Sequence, residues 1–140
     1  MRTRNLALSN MSRNRLSNLT ILVVEDHDDA RRYLGVFLDR LGANVVVARN
    51  GVEGFEAIKN NRPNLVVSDI QMPGMDGFGL LREIRALGSG AGGSVPVIAM
   101  TAFGTHADRE RLLHAGFKAC LLKPFTPDKL VETILSVLND

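Results

Sequence analysis

The sequence predicts an α/β domain: a doubly wound, five-stranded parallel sheet with five flanking helices. Five short apolar, β-branched segments alternate with five segments of helical periodicity, the pattern of successive strand–helix–strand units joined by right-handed crossovers. Three of the strand segments are apolar with little alternation, as expected when both faces of a sheet are covered. The length of 140 residues suffices for one domain and its core.

The elements follow in order. The first strand is TILVVE, from Thr20. DDARRYLGVFLDRLG then places Ala30, Tyr33, Leu34, Phe37, Leu38 and Leu41 at helical spacing, with Gly42 as the C-terminal stop. NVVVA is the second strand. NGVEGFEAIKN is the second helix, with Asn50 and Glu53 at capping-box spacing and Pro63 ending the connection. NLVVSD is the third strand, and MDGFGLLREIRALG the third helix, carrying Phe78, Leu81, Ile84, Arg85 and Leu87. GSGAGGS, residues 88–94, reads as a flexible loop. VPVIAMT is the fourth strand. THADRERLLHAG is the fourth helix, with Thr105 and Asp108 at capping-box spacing. KACLLK is the fifth strand. TPDKLVETILSVLN closes the chain as a helix capped by Thr126, with Pro127 at its first position. The sequence shows neither an internal repeat nor a second domain.

Composition narrows the function. No apolar run approaches the roughly 18 residues of a membrane span. The single cysteine, Cys120, excludes an internal disulfide framework and a Cys-rich zinc site, and fits a reducing, cytoplasmic setting. The net charge of +2 conceals an asymmetry: Arg2, Arg4, Arg13 and Arg15 lie in residues 1–18 with no acid among them, and the rest stands at −2. The basic balance therefore belongs to a tail and is not a nucleic-acid signature. Residues 1–18 read as a disordered basic extension and 19–140 as the folded domain. The tail lacks the continuous apolar core of a secretory signal; its composition is also that of an organellar transit peptide, and Met11 is a second candidate start.

In an open parallel sheet, ligands bind outside the carboxyl ends of the strands. There the first strand ends in Glu25 and Asp26, the third in Asp69, the fourth in Thr101, and the fifth in Lys123 followed by Pro124. Three carboxylates at close range repel, and one acquires a raised pKa unless a cation sits among them. A hard divalent ion, Mg2+ (or Mn2+), suits such oxygen ligands. Lys123 suits a phosphate oxygen, and Thr101 is placed to hydrogen-bond one. Asp69 is then a nucleophile for phosphorus, forming an acyl phosphate, in a reaction that needs mainly alignment and charge neutralisation. Taken singly, each residue also has an ordinary structural role: a turn cap for Asp69, a helix-dipole partner for Glu25 and Asp26, a strand-end hydroxyl bonded to backbone for Thr101, a surface lysine for Lys123. Their convergence on one edge carries the functional reading.

The motifs ILVVED, VVSDIQMPGMDG, VIAMTA and LLKPF, in this order and spacing, resemble the receiver domain of two-component response regulators over residues 19–140. The resemblance implies the flavodoxin-like strand order 2-1-3-4-5, for which a receiver of this family is a standing example. It implies Asp69 as phosphoacceptor; Glu25, Asp26, Asp69 and the Gln71 carbonyl around the metal; Thr101 and Lys123 as the switch and phosphate-contacting residues; Pro73 and Gly77 as shapers of the loop after Asp69; and a cis Lys123–Pro124 bond. It further implies a phosphohistidine donor on a sensor kinase or phosphotransfer protein. The expected function is that of a single-domain regulator. It would signal by phosphorylation-dependent binding through the fourth helix, fifth strand and fifth helix (about residues 105–138), or relay the phosphoryl group. It would catalyse its own phosphorylation and dephosphorylation without being a turnover enzyme. No DNA-binding motif is present.

Three features depart from the family pattern. Cys120 stands three before the lysine, where many receivers carry an aromatic switch residue. Glu25 replaces an aspartate. Phe103 and Gln71 occupy positions that gate water in the family. The alternative function is a pseudo-receiver, a constitutive interaction module; an aspartate-nucleophile phosphatase would need a second acid where Gln71 stands. His27, His106 and His114 are too scattered to share one metal; His27, just after the acidic pair, is placed where it can edge the site, and a surface or capping role is the more expected one for all three.

Overall fold

A computed structural model describes residues 14–139. Its strands are β1 (Thr20–Val24), β2 (Asn44–Ala48), β3 (Leu65–Asp69), β4 (Val97–Thr101) and β5 (Ala119–Leu122). They form one parallel sheet in the order β2-β1-β3-β4-β5. The helices are α1 (Asp28–Arg40), α2 (Gly51–Asn61), α3 (Gly77–Ala86), α4 (His106–Ala115) and α5 (Pro127–Leu138).

Side chains alternate across each strand, so the sheet feeds two cores. Leu22, Val24, Val66, Val97 and Ala99 face α2, α3 and α4, where Ile58, Leu80, Ile84, Leu112 and Phe117 meet them. Ile21, Val23, Val67, Ile98, Met100 and Leu121 face α1 and α5 with Leu34, Leu38, Leu130 and Ile134. Every residue of β3 and β4 is buried, which explains their unalternated sequences.

Capping follows the residue types. The side chains of Asn50, Asp76, Thr105 and Thr126 each accept the N–H three residues on, at 2.8, 2.8, 3.1 and 3.1 Å. Thr105 and Asp108 form the complete reciprocal box. At α2 the box is incomplete: Glu53 accepts instead from the N–H of Arg49, one residue before the cap, and binds the Arg49 guanidinium.

Four expectations need correction. The folded part begins before residue 19: Leu16 is fully buried among α1 and α5 side chains, its N–H donating to the Leu41 carbonyl. The remainder of the expected extension, residues 1–13, lies outside the described residues. Tyr33 is 56% exposed and stacks on Phe37 rather than entering the core. Residues 88–94 are organised: a 3-10 turn spans Ser89–Ala91. Arg85 donates to the carbonyls of Gly93 and Val95, and Arg62 to that of Gly90, tying the segment to α3 and α2. Leu80, absent from the expected α3 stripe, is fully buried.

Candidate functional site

Parallel register carries the chemistry to one edge. Val24 lies opposite Ser68, Asp69 opposite Met100, and Thr101 opposite Leu122. Glu25 and Asp26 leave β1, and Lys123 leaves β5, at that same level. Glu25 is fully buried, and Asp69 and Thr101 are each 5% exposed. The Lys123 ammonium bridges two carboxylates, 2.8 Å from Glu25 Oε1 and 3.2 Å from Asp69 Oδ2. Asp69 Oδ1 accepts the Gln71 N–H at 3.3 Å, which ties the following turn to the site.

That turn needs its small residues. Gly74 has φ of 76°, a left-handed conformation open to glycine. A Cβ on Gly77 would stand 2.7 Å from the Asp69 carbonyl oxygen and 2.9 Å from Ile70 Cα, so α3 can start against the end of β3 only without a side chain there. Pro73 is exposed on the turn, and the Lys123–Pro124 bond is cis. Ser68, buried beside the site, donates its hydroxyl to the Asp69 carbonyl.

Thr101 reaches the edge, but its hydroxyl is engaged locally: it accepts the Phe103 N–H at 2.9 Å. The side chain of Phe103 is half-exposed beside it.

Electrostatics divides the carboxylates. Burial pushes the Asp69 carboxyl up from its ordinary 3.8, the adjoining Glu25 carboxylate pushes it further, and Lys123 offsets only part, leaving it at about 6. Burial acts on Glu25 in the same direction, but hydrogen bonds from Lys123 and from Asp69 outweigh it and hold that carboxyl at about 2. Burial works against the Lys123 charge, yet the two carboxylates win and raise its pKa. The site therefore holds more negative charge than one ammonium neutralises.

The residues fit a divalent cation. Asp26 Oδ1 is buried without a hydrogen-bond partner. One ligand atom each from Glu25, Asp26, His27 and Asp69 lies within 4.8 Å of the others. An orphaned buried carboxylate oxygen facing two further carboxylates is a donor set for a hard ion.

The model of the response regulator receiver domain family matches residues 21–135. This chain belongs to the response regulator receiver domain family. An uncharacterized 14.6 kDa protein of Leptolyngbya boryana is 40% identical over 119 residues, covering 85% of this chain and 89% of that protein. Sensor histidine kinase RcsC of Escherichia coli (strain K12) is 38% identical over 117 residues, yet the match spans 84% of this chain and only 12% of the kinase. The receiver domain of sensor histidine kinase PA1611 from Pseudomonas aeruginosa PAO1, solved with a magnesium ion in its active-site cleft, superposes with a TM-score of 0.78 at 31% identity, covering 89% of this chain and 100% of that one. The receiver fold, with its strand order 2-1-3-4-5, is thus the one expected from the motifs.

Sequence reasoning did not find the Lys123–Glu25 pair, because charge partners 98 residues apart carry no local signal. The bond that Thr101 accepts from the Phe103 N–H is the ordinary strand-end role set beside its functional one. His27 occupies the N-cap position of α1 without a side-chain cap bond and is 74% exposed, so of the roles expected for it the surface position at the edge of the acidic pair holds and the capping bond does not.

Proposed function

We propose that this receiver accepts a phosphoryl group on Asp69 from a phosphohistidine of a sensor kinase or phosphotransfer protein. The observation that carries this reading is the buried Asp69 carboxylate at the sheet edge, 3.2 Å from an ammonium and beside an orphaned acidic oxygen. An Asp69 oxygen attacks phosphorus as the phosphorus–nitrogen bond of the donor breaks; the imidazole leaves with the electron pair, and an acyl phosphate forms. Water attacking the same phosphorus later returns the carboxylate and inorganic phosphate. Asp69 is mainly ionised above about pH 6, so it is a competent nucleophile near neutrality.

Asp26, Asp69, Glu25 and the Gln71 carbonyl would hold Mg2+ (or Mn2+), which supplies charge neutralisation to the transferring phosphoryl oxygens. Lys123 is freed from Asp69 Oδ2 to meet one phosphoryl oxygen, while Glu25 keeps it in place. Thr101 exchanges its bond with the Phe103 N–H for one with the phosphoryl group, which moves the β4–α4 loop. Pro73 and Gly77 keep the metal-side turn against β3.

The donor docks at a pocket of about 470 Å³ that shares Glu25, His27 and Lys123 with the site and is otherwise walled by Ala30, Tyr33, Leu34, Pro124 and Phe125. Exposed Tyr33 belongs to this apolar wall. The output face comprises α4, β5 and α5, about residues 105–138. In support, β5 is an edge strand, α4 buries only Leu112, and Leu122 is half-exposed. On this reading it is a stand-alone regulator, acting by phosphorylation-dependent binding or by relay. No described helix is long and apolar enough to cross a membrane. The proposed protein works in the cytoplasm, modifies itself and turns over no separate substrate.

Incubation with acetyl phosphate and Mg2+, read by intact mass, tests the reading. The expected result is one added phosphoryl group that requires the metal and is absent from Asp69→Asn. A folded protein that takes up no phosphoryl group under any Mg2+ concentration would instead be a constitutive interaction module.

A further inference from the structure

The carboxylates divide into two sides. On one, Lys123 occupies Glu25 Oε1 and Asp69 Oδ2. On the other, the ring of His27 stands over the remaining oxygens: its Nδ1 is 3.4 Å from Glu25 Oε2 and 3.3 Å from Asp26 Oδ1. Despite that approach, Asp26 Oδ1 has no hydrogen-bond partner. His27 Nδ1 hydrogen-bonds Glu25 Oε2, which also accepts the His27 backbone N–H, and the same Nδ1 stands 3.3 Å from Asp26 Oδ1 without a hydrogen bond to it. Neighbouring ligands around a six-coordinate ion at about 2.1 Å stand roughly 3.0 Å apart, and opposite ones roughly 4.2 Å. The observed 3.3 and 3.4 Å, within a group spanning 4.8 Å, need only slight contraction to match. The ring can turn toward an ion, since the side chain is 74% exposed and makes no cap bond to α1.

The geometry points to His27 Nδ1 as an additional ligand of the divalent ion, which biases this receiver toward transition-series ions such as Mn2+ and Ni2+ relative to Mg2+. The inference rests on the reading that Glu25, Asp26 and Asp69 hold a divalent cation. Its physical basis is ligand type: imidazole adds much to the binding of nitrogen-tolerant transition ions and little to Mg2+, which favours oxygen and retains its waters.

The test uses the full chain and His27→Ala, with Mg2+, Mn2+ and Ni2+ titrated separately by calorimetry and the Mn2+ complexes examined by pulsed electron paramagnetic resonance. Equal melting temperatures in chelator establish that both proteins fold alike. Wild type is expected to show a nitrogen hyperfine coupling to Mn2+ that His27→Ala lacks. The substitution should weaken Ni2+ binding by about tenfold or more and change Mg2+ binding by less than about twofold. Unchanged Ni2+ affinity, or a nitrogen coupling that survives in His27→Ala and so comes from His106 or His114, overturns the proposal while leaving the Mg2+ site intact. Failure of wild type to bind Mg2+, with Asp26→Asn behaving identically, overturns the metal reading and the proposal with it.

Discussion

At the scale of the residue, Asp69 works under a strain of charge. The folded state holds its proton to about pH 6, whereas an unfolded aspartate releases it near 3.8. Between those values the folded state binds more protons than the unfolded one, so stability falls as pH rises through this window. Asp69→Asn removes the penalty. In metal-free buffer the variant should be more stable than wild type by on the order of 2 kcal/mol at pH 7.5, a rise in Tm of roughly 5 °C, and the gap should close below about pH 4. Melting curves across pH check this; a gap independent of pH would mean that packing, not ionisation, separates the two proteins. Mg2+ should narrow the gap by stabilising wild type. Gly77 makes the opposite case, since its constraint is steric. A methyl group there meets the Asp69 carbonyl oxygen at 2.7 Å, and backbone cannot swing aside as a flexible side chain can. Gly77→Ala should cost about 2–3 kcal/mol in urea unfolding and slow uptake from acetyl phosphate, because the displaced backbone is that of Asp69, the proposed phosphoacceptor.

At the scale of the element, α4 stands apart from the other helices. It buries only Leu112, while α5 buries Leu130, Val131, Ile134 and Val137. Its start depends instead on the reciprocal bonds between Thr105 and Asp108. A helix held by its cap more than by its core opens locally at low free energy, which suits an element that the proposed exchange at Thr101 would shift. Amide hydrogen exchange should be faster in α4 than in α1 or α5. Thr105→Ala should cost about 1 kcal/mol and accelerate exchange in α4 by about fivefold while sparing α5. Equal acceleration in all helices would show that α4 opens only with the whole domain. Cys120, on the neighbouring β5, is a half-buried thiol. Burial raises its pKa, so it stays protonated and serves packing better than redox chemistry.

At the scale of the molecule, the two cores are joined through the sheet, and the segment before β1 is part of one of them. Leu16 packs with Leu38, Leu41 and residues of α5 despite a sequence context of Asn, Ser and Arg. Leu16→Ala should cost about 2–4 kcal/mol, visible as a lower urea midpoint. An effect below about 0.5 kcal/mol, the range of ordinary surface substitutions, would place the true start of the domain at Thr20.

By itself, the sequence determined the alternation of strands and helices, most caps, and the set Glu25, Asp26, Asp69, Thr101 and Lys123. These are legible because hydrophobic period and capping are local, and because parallel topology sends every strand's carboxyl end to one edge. Tertiary structure alone decided which of those side chains bond to one another. Lys123 chose Glu25 as well as Asp69, and Asp26 Oδ1 was left without a partner. Arg85 and Arg62 found carbonyls in a glycine-rich loop, and Tyr33 faced solvent instead of core. Each of these outcomes depends on distances between segments remote in the chain or on which arc of a helix meets the sheet. A periodic pattern marks a face only approximately, and it contains no information about the partner that stands opposite.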